Sequence, residues 1–202
     1  MATAISAKDV AALRARTGAG MMDCKNALTE AGGDMEKAVD LLRKKGIARA
    51  DKRAGRGASE GMIGSYIHFD KKIGVLVEVN CETDFVARTE EFQNLARDLA
   101  MHIASVDPTP IAVATDQVPV DMLERERAIY RAQAQESGKP EAIWVKMIEG
   151  KVRKFYQERV LLEQAFVKDD KQTVGQLVKA VSGKVGENVV VRRFVRFSLG
   201  EG

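Results

Sequence analysis

Four side chains of this 202-residue sequence could act as nucleophiles, general bases or metal ligands: Cys24, Cys81, His68 and His102. A catalytic thiol needs a nearby base, and a zinc site needs a cluster of closely spaced ligands. Neither histidine has a carboxylate or thiol partner at a recognisable spacing, and the cysteines form no CxxC pair. We therefore expect structural histidines, a buried inert thiol at Cys81 and two reduced cysteines rather than a disulfide. On these grounds we expect no enzyme, no metal site and no cofactor.

The glycines of Gly18-Ala19-Gly20 are a second candidate, since glycine-rich loops bind phosphate through backbone amides. No Gly-Lys-Ser/Thr follows them, and they lie between two predicted helices, whereas a phosphate loop follows a strand. The third glycine of a dinucleotide-binding fingerprint is also missing. We interpret this segment as a helix-breaking turn.

A basic stretch, IARADKRAGRG at residues 47–57, could contact nucleic acid. From Arg43 to Arg56 the sequence has seven basic residues and a single acid, Asp51. No aromatic side chain is interleaved for base stacking, and the net charge of the whole chain is only +3. We expect a solvated linker helix and no direct nucleic-acid binding. An RNA-binding adaptor remains the alternative, and it predicts strongly salt-dependent binding.

The composition, 45% hydrophobic and 30% charged, is that of an ordinary soluble globular protein. No apolar run approaches the roughly 20 residues that span a bilayer. The first residues, MATAISAKDVAAL, lack the basic and then apolar pattern of a secretion signal. We expect a cytoplasmic protein that does not bind membranes.

Three short helices are predicted between residues 4 and 46. Ser6 can cap the first helix, the glycine turn ends it, and Asp34 can cap the third. Gly46 follows three basic residues, so we expect it in the C′ position that ends the third helix. Three helices of this length bury a minimal core, and such modules are usually binding devices.

Alternating residues predict a β-hairpin with strands at 62–69 and 73–80. One face of the second strand is wholly β-branched and should pack on helices or on another sheet. A helix with an apolar stripe follows at 92–103, and Asp121 can cap a mostly polar helix. A final strand at 189–197 can reach the hairpin by a long return connection. We predict an α+β fold whose core is a three-stranded antiparallel sheet flanked by helices.

Two longer stretches are far more specific: TGAGMMDCKNAL at residues 17–28 and NCETDFVAR at residues 80–88. They resemble the signature segments of the elongation factor Ts family, in the right order and at the right separation. EAGGDMEKAVDLLRKKG, FVKDDKQTVGQLV and GENVVVRRFVRF also resemble sequences of that family. The resemblance extends from about residue 8 to about residue 200. Members of this family are guanine-nucleotide exchange factors of the translation GTPase elongation factor Tu.

The resemblance implies a three-helix domain of ubiquitin-associated type at residues 1–46, the basic connector at 47–60, and an α+β core and dimerisation domain at 61–202. Longer family members carry two core subdomains, a helical-hairpin insertion and a C-terminal module, so this chain resembles the short form. Short forms resemble half of the long arrangement, which implies a homodimer. We expect pairing through the β-branched stripe from Ile73 to Val79.

The resemblance further implies binding to elongation factor Tu·GDP and release of GDP by displacement of Mg²⁺, after which GTP can rebind. The segment that dislodges the ion matches Thr83, Asp84, Phe85 and Val86. This short turn follows a strand and precedes a helix, and Phe85 would be an awkward choice for a solvated turn. The alternative is that Asp84 caps the following helix while Phe85 packs in the core.

The resemblance implies a second contact, in which an N-terminal turn docks on a helix of the GTPase: Gly18, Ala19, Gly20, Met21, Met22 and Asp23. Adjacent methionines cannot both face one helical core, so at least one should lie at the surface. A flexible thioether suits an adaptable interface there. The alternative places one methionine in the core and gives the other no role.

An enzyme that uses Cys81 is the remaining alternative class.

Overall fold

The structure, a computed structural model, describes residues 5–201, and the chain divides into two compact units. The first unit comprises Met1–Gly61, Asn80–Phe92 and Val178–Val190, and the second comprises Met62–Val79, Gln93–Leu177 and Val191–Gly202. Each unit is thus assembled from segments that are far apart in sequence. Among residues 5–201, no helix is long and apolar enough to cross a membrane.

The described residues contain eight α-helices and five strands. The α-helices are α1 (Ala7–Thr17), α2 (Met21–Glu30), α3 (Met35–Asp51), α4 (Asp84–Ala87), α5 (Glu90–Ser105), α6 (Val120–Glu136), α7 (Glu141–Arg159) and α8 (Val174–Val185). The strands are β1 (Glu60–Ile67), β2 (Ile73–Cys81), β3 (Ala165–Phe166), β4 (Asp169–Thr173) and β5 (Val190–Ser198). The predicted α+β fold is confirmed, with its three N-terminal helices and a three-stranded antiparallel sheet in the order β1-β2-β5.

Local signals fix the ends of the first helices. The Ser6 hydroxyl accepts from the amide of Asp9, and the Asp9 carboxylate accepts from the amide of Ser6, which forms a capping box at the start of α1. Asp34 caps α3 by accepting from the amide of Lys37. Both predicted caps are confirmed. The three helices enclose a small core of seven buried residues: Val10, Leu13, Cys24, Ala27, Leu28, Ala38 and Leu42.

The prediction that Gly46 ends the third helix is wrong, because α3 continues to Asp51. A glycine inside a helix costs only about 1 kcal/mol relative to alanine, which tertiary packing readily offsets. That packing comes from α8, which crosses α3 at this point. A Cβ built on Gly183 would lie 2.7 Å from the Gly46 carbonyl oxygen and 2.8 Å from its Cα. The two helix backbones are therefore in direct contact.

The basic stretch at residues 47–57 begins inside α3 and makes bonds within the first unit. Asp51 pairs with Lys179 of α8 at 2.8 Å, and the Arg53 guanidinium donates to the Ser182 carbonyl at 3.5 Å. Residues at and just after the end of α3 therefore help to hold α8 against it.

The β-branched face of β2 is buried inside the second unit. Val75, Val77 and Val79 are almost fully buried, and a Cβ on Gly64 of β1 would lie 2.6 Å from the Ala96 carbonyl oxygen of α5. Helix α5 thus lies directly on this face of the sheet. The expectation that a second copy pairs through the Ile73-to-Val79 stripe is therefore wrong, since the chain's own helix covers it.

The remaining connections contain further differences from the predictions. Helix α6 begins at Val120 after Pro119, so Asp121 lies in its first turn and does not cap it. Helices α6 and α7 pack against each other, and β3 and β4 form a small hairpin that was not predicted. Thr173 caps α8, as its hydroxyl accepts from the amide of Gln176 at 3.2 Å.

Both histidines and the C-terminal arginines make structural contacts. His102 is buried, and its Nδ1 accepts a hydrogen bond from the amide of Val167. The other ring nitrogen, Nε2, therefore carries the proton and donates to the Gln164 side-chain oxygen. Burial lowers the pKa of the His102 imidazole. The phenol of Tyr66 and His68 Nδ1 are 3.1 Å apart. Ion pairs engage three arginines of β5: Arg192 and Arg193 with Glu78, and Arg196 with Glu201.

At the helix crossing, replacing either glycine with alanine should change the free energy of unfolding, but in opposite directions. Gly183→Ala should lower the free energy of unfolding by about 1–3 kcal/mol, because its methyl group would overlap immobile backbone atoms of α3. Gly46→Ala should raise that free energy by about 0.5–1 kcal/mol, since a Cβ there meets nothing within 4 Å and alanine favours the helix. Urea denaturation followed by circular dichroism measures both. Equal effects of the two variants would contradict the proposed crossing.

Candidate partner-binding site

The turn at residues 83–86 is a single helical turn, α4, fixed at both ends. Thr83 caps α4, because its hydroxyl accepts from the amide of Val86 at 3.4 Å. Thr89 closes the other end by donating to the Val86 carbonyl at 2.7 Å, and it accepts from the amide of Phe92 at the start of α5. Val86 and Ala87 are buried. The turn is therefore anchored through its inward-facing side chains and its caps.

Phe85 projects from this anchored turn into solvent, with 77% of the residue exposed. The carboxylate of Asp84 is also accessible and pairs with Arg88 at 2.8 Å. The alternative in which Asp84 caps the helix and Phe85 packs in the core is wrong, since Thr83 caps α4 and Phe85 lies outside. An exposed apolar side chain on a turn that is fixed by caps is a candidate contact for a partner.

A carboxylate from a distant part of the chain supports the same turn. Glu187 accepts from the backbone amides of Glu82 and Thr83, both at 3.0 Å, and from the Thr83 hydroxyl at 2.6 Å. We did not predict this residue as part of the site. No local pattern could have indicated it, because Glu187 and Thr83 are 104 positions apart.

Cys81, directly before the turn, lies buried and reduced. Its thiol donates to the Thr83 carbonyl at 3.1 Å, and burial raises its pKa above the ordinary thiol value, with Glu187 adding to the shift. A thiolate nucleophile requires the opposite shift. The predicted burial of Cys81 is confirmed, and the raised pKa gives no support to the alternative of an enzyme that uses this thiol.

The N-terminal turn, residues 18–23, is fixed by hydrogen bonds to the side chains of Thr17 and Cys24. Gly18 adopts a left-handed conformation with φ of 68°, where glycine is favoured, and its amide donates to the Arg14 carbonyl to end α1. The amide of Ala19 donates to the Thr17 hydroxyl, and its carbonyl accepts from the Cys24 thiol. The interpretation of this segment as a helix-breaking turn is confirmed.

Both methionines of the N-terminal turn lie at the surface. Met21 is 44% exposed and Met22 is 66% exposed. The alternative that one of them belongs to the helical core is therefore wrong. Neighbouring Asp23 accepts two hydrogen bonds from the Arg49 guanidinium at 2.8 and 2.9 Å. These bonds hold the pKa of the Asp23 carboxyl below its ordinary value and join α2 to the end of α3.

Both turns belong to the first unit, and the end of α8 connects them. The Lys184 side chain lies so close over Gly18 that a Cβ there would overlap it. The same ammonium group pairs with Glu91 of α5 at 3.0 Å and lowers the pKa of that carboxyl. Lys184 therefore bridges the N-terminal turn and the segment that follows the 83–86 turn.

The Asp23–Arg49 pair leads to a pH-dependent prediction. Arg49→Met should lower the free energy of unfolding by about 0.5 kcal/mol near neutral pH, a size typical of exposed ion pairs. The pKa of Asp23 is lower in the folded chain than in the unfolded chain. Its contribution is thus present above the ordinary carboxyl pKa of about 4 and is lost as pH falls through the lowered value. Urea denaturation from about pH 5 to about pH 3 should therefore show the two proteins converging. A difference that does not change over this range would attribute the effect to packing.

Comparison with known proteins identifies the relatives of this chain. A family model described as "Elongation factor TS" matches residues 6–201. The chain is 60% identical to an elongation factor Ts of Geobacter metallireducens, covering 98% of this chain and 91% of that protein. It is 58% identical to that of Moorella thermoacetica (98% and 97% covered) and 56% identical to that of Thermosipho melanesiensis (98% and 100% covered). The chain therefore belongs to the elongation factor Ts family of translation elongation factors.

Proposed function

We propose that this chain binds elongation factor Tu·GDP and promotes GDP release by displacing Mg²⁺, which allows GTP to rebind. The observation that carries the proposal is the exposure of Phe85 on a turn capped at both ends. Burial of a phenyl ring is worth about 1.5–3 kcal/mol, and this ring can be buried only by a partner. The rigid turn directs that energy to one place on the partner.

Exchange of this kind requires no covalent chemistry by the chain. If the exchange factor binds the nucleotide-free GTPase more tightly than the GDP-bound form, then by linkage it weakens GDP binding by the same factor. Each tenfold weakening needs about 1.4 kcal/mol of differential contact. If Phe85 is buried only against the nucleotide-free form, its burial alone is of the size needed for a tenfold to hundredfold effect.

Magnesium is a suitable point for this displacement because the ion requires near-ideal octahedral geometry. A small shift of the groups around it therefore weakens the site strongly. We assign the apolar wedge to Phe85 and a competing charge to Asp84, whose carboxylate is 46% exposed and is held by Arg88. Thr83 and Val86 fix the position of both side chains.

The N-terminal turn supplies a second contact in this proposal. Met21 and Met22 present flexible apolar side chains beside the ion-paired Asp23, and we propose that the turn docks on a helix of the GTPase. In this division of labour, residues 18–23 provide affinity and orientation, while residues 83–86 displace the ion.

The domain boundaries at 1–46, 47–60 and 61–202 stay a prediction. Action in the cytoplasm, without direct contact with nucleic acid or membrane, completes the proposed role.

A homodimer is also part of the proposal, now through the other face of the sheet. Alternate residues of the three strands point away from α5 and are exposed: Ile63, Ile67, Leu76, Val195 and Phe197. The ion pair of Arg193 with Glu78 accompanies them. Two such sheets can pack face to face about 10 Å apart, as in a β-sandwich. A second copy of the chain supplies a matching apolar face and would cover these side chains.

The division of labour predicts separable defects. Asp84→Ala/Phe85→Ala should lower the maximal rate of GDP release by about a hundredfold, the equivalent of about 3 kcal/mol, and change complex formation less. Met21→Ala/Met22→Ala should weaken binding and leave the rate at saturation nearly unchanged. Stopped-flow release of a fluorescent GDP analogue from elongation factor Tu, at fixed Mg²⁺ and increasing concentrations of the chain, measures both parameters.

Val120→Ala is the matched control, since it removes an apolar side chain with 75% exposure from the start of α6. It should behave like the wild type. Absence of acceleration by the folded wild-type chain would overturn the proposed function and favour the RNA-binding adaptor. Equal loss of affinity in both double variants, with normal maximal exchange, would overturn only the division of labour.

The proposed interface predicts that one charge can separate the two copies. Leu76→Asp should yield a folded monomer at micromolar concentration, because a carboxylate in the centre of an apolar interface would be desolvated without a partner. Val145→Asp, which changes an exposed residue of α7, should leave a dimer. Analytical ultracentrifugation distinguishes these states, and a monomeric wild type under the same conditions would contradict the dimer.

A further inference from the structure

The 83–86 turn is joined to the rest of the first unit by a reciprocal set of bonds between residues 82–83 and residues 187–188. Glu187 accepts three hydrogen bonds from residues 82 and 83. In return, the Glu82 carboxylate accepts from the amide of Asn188 at 2.7 Å. We call these four residues, Glu82, Thr83, Glu187 and Asn188, the clamp.

The loop that carries Glu187 is itself fixed to the first unit. The Ser182 hydroxyl donates to the Glu187 carbonyl at 2.5 Å, which ties the loop to the end of α8. The Asn188 side-chain amide donates to the Arg56 carbonyl at 2.8 Å, which ties it to the stretch after α3. The clamp therefore connects the 83–86 turn to the helix crossing at Gly183.

The chemistry of the clamp suits a rigid support. The amides of Glu82 and Thr83 lie just beyond the end of β2. An ionised carboxylate binds amide donors about twice as strongly as a neutral acceptor does. The Thr83 hydroxyl donates to Glu187 and accepts from Val86. Glu187 thereby orients the same hydroxyl that caps α4, the helical turn that carries Phe85.

We propose that Glu187 is a positioning residue for nucleotide exchange, which holds the 83–86 turn rigid so that Phe85 deforms the partner instead of yielding to it. The inference rests on the proposed function. A turn that yields would still bind, but the energy of burying Phe85 would be spent on moving the turn. Loss of Glu187 should therefore lower the maximal rate of GDP release while affinity stays close to that of the wild type.

Two substitutions at the same position separate this role from a general loss of charge. Glu187→Ala removes every acceptor and should lower the maximal release rate about tenfold, with half-saturation within about twofold of the wild type. Glu187→Gln should keep most of the wild-type release rate. The glutamine side-chain oxygen can accept from the amides of residues 82 and 83, while its NH2 group donates to the Thr83 hydroxyl. Glu136→Ala is the matched control, since Glu136 is exposed and has no ion pair among residues 5–201.

Hydrogen exchange of the free chain provides a readout that does not depend on the partner. Amides at residues 82–88 should exchange faster in Glu187→Ala than in the wild type and at an intermediate rate in Glu187→Gln. Amides of α1 to α3 should be unchanged. If Glu187→Ala does not fold, Glu82→Ala opens the clamp from the other side and takes its place in both measurements.

The outcomes separate this inference from the proposed function. A wild type that fails to accelerate GDP release overturns the proposed function and this inference with it. If the wild type accelerates release and Glu187→Ala matches its maximal rate, only the positioning role is overturned. Unchanged exchange at residues 82–88 in a folded Glu187→Ala variant overturns the clamp itself. Faster exchange together with a lower maximal rate and unchanged affinity supports the inference.

Discussion

The contact between α8 and α3 at Gly183 constrains most of the first unit. Only glycine at this position lets the two helix backbones touch, and the approach directs the end of α8 across the unit. Lys179 then reaches Asp51, and Lys184 reaches Glu91 over Gly18. These ion pairs are exposed, and each contributes little to stability. We therefore infer that the helix crossing positions the ion pairs, and that the ion pairs contribute little to the crossing.

In the first unit, the residues that hold the two turns in place are different from the residues that are exposed for contact with a partner. Buried or hydrogen-bonded groups such as Val86, Thr83 and Cys24 hold the two turns, whereas Phe85 and Met22 meet the solvent. The proposed exchange function needs both properties. To perform it, the chain must bind several states of one GTPase, yet it must favour the state from which the nucleotide has been lost.

The sequence predicted what is local or periodic and failed where contacts are distant. The caps at Ser6 and Asp34 require only neighbouring residues, and the α+β fold follows from the periods of the helices and strands. Alternation along β2 showed that one face is apolar, but not that α5 would cover it in place of a second copy. Gly46 illustrates the same limit, because its surroundings are decided by a helix that begins more than a hundred positions later.

The candidate site divides in the same way. Family resemblance marked residues 18–23 and 83–86, and the structure shows which of their side chains face outwards, information that no single sequence contains. Resemblance also extended over the GENVV segment without indicating that Glu187 contacts Thr83. A pair separated by 104 positions leaves no pattern in one sequence, since neither residue constrains the types of its neighbours.

That separation has a consequence for the order in which the molecule acquires its shape during synthesis. Domains generally fold as units as the chain grows from its N-terminus. Helices α1 to α3 can assemble early, but residue 83 cannot bind the Glu187 carboxylate until a further 104 positions have been added. A product that terminates before this point would carry the phenylalanine without its support. The support of the turn therefore depends on synthesis at least as far as Glu187.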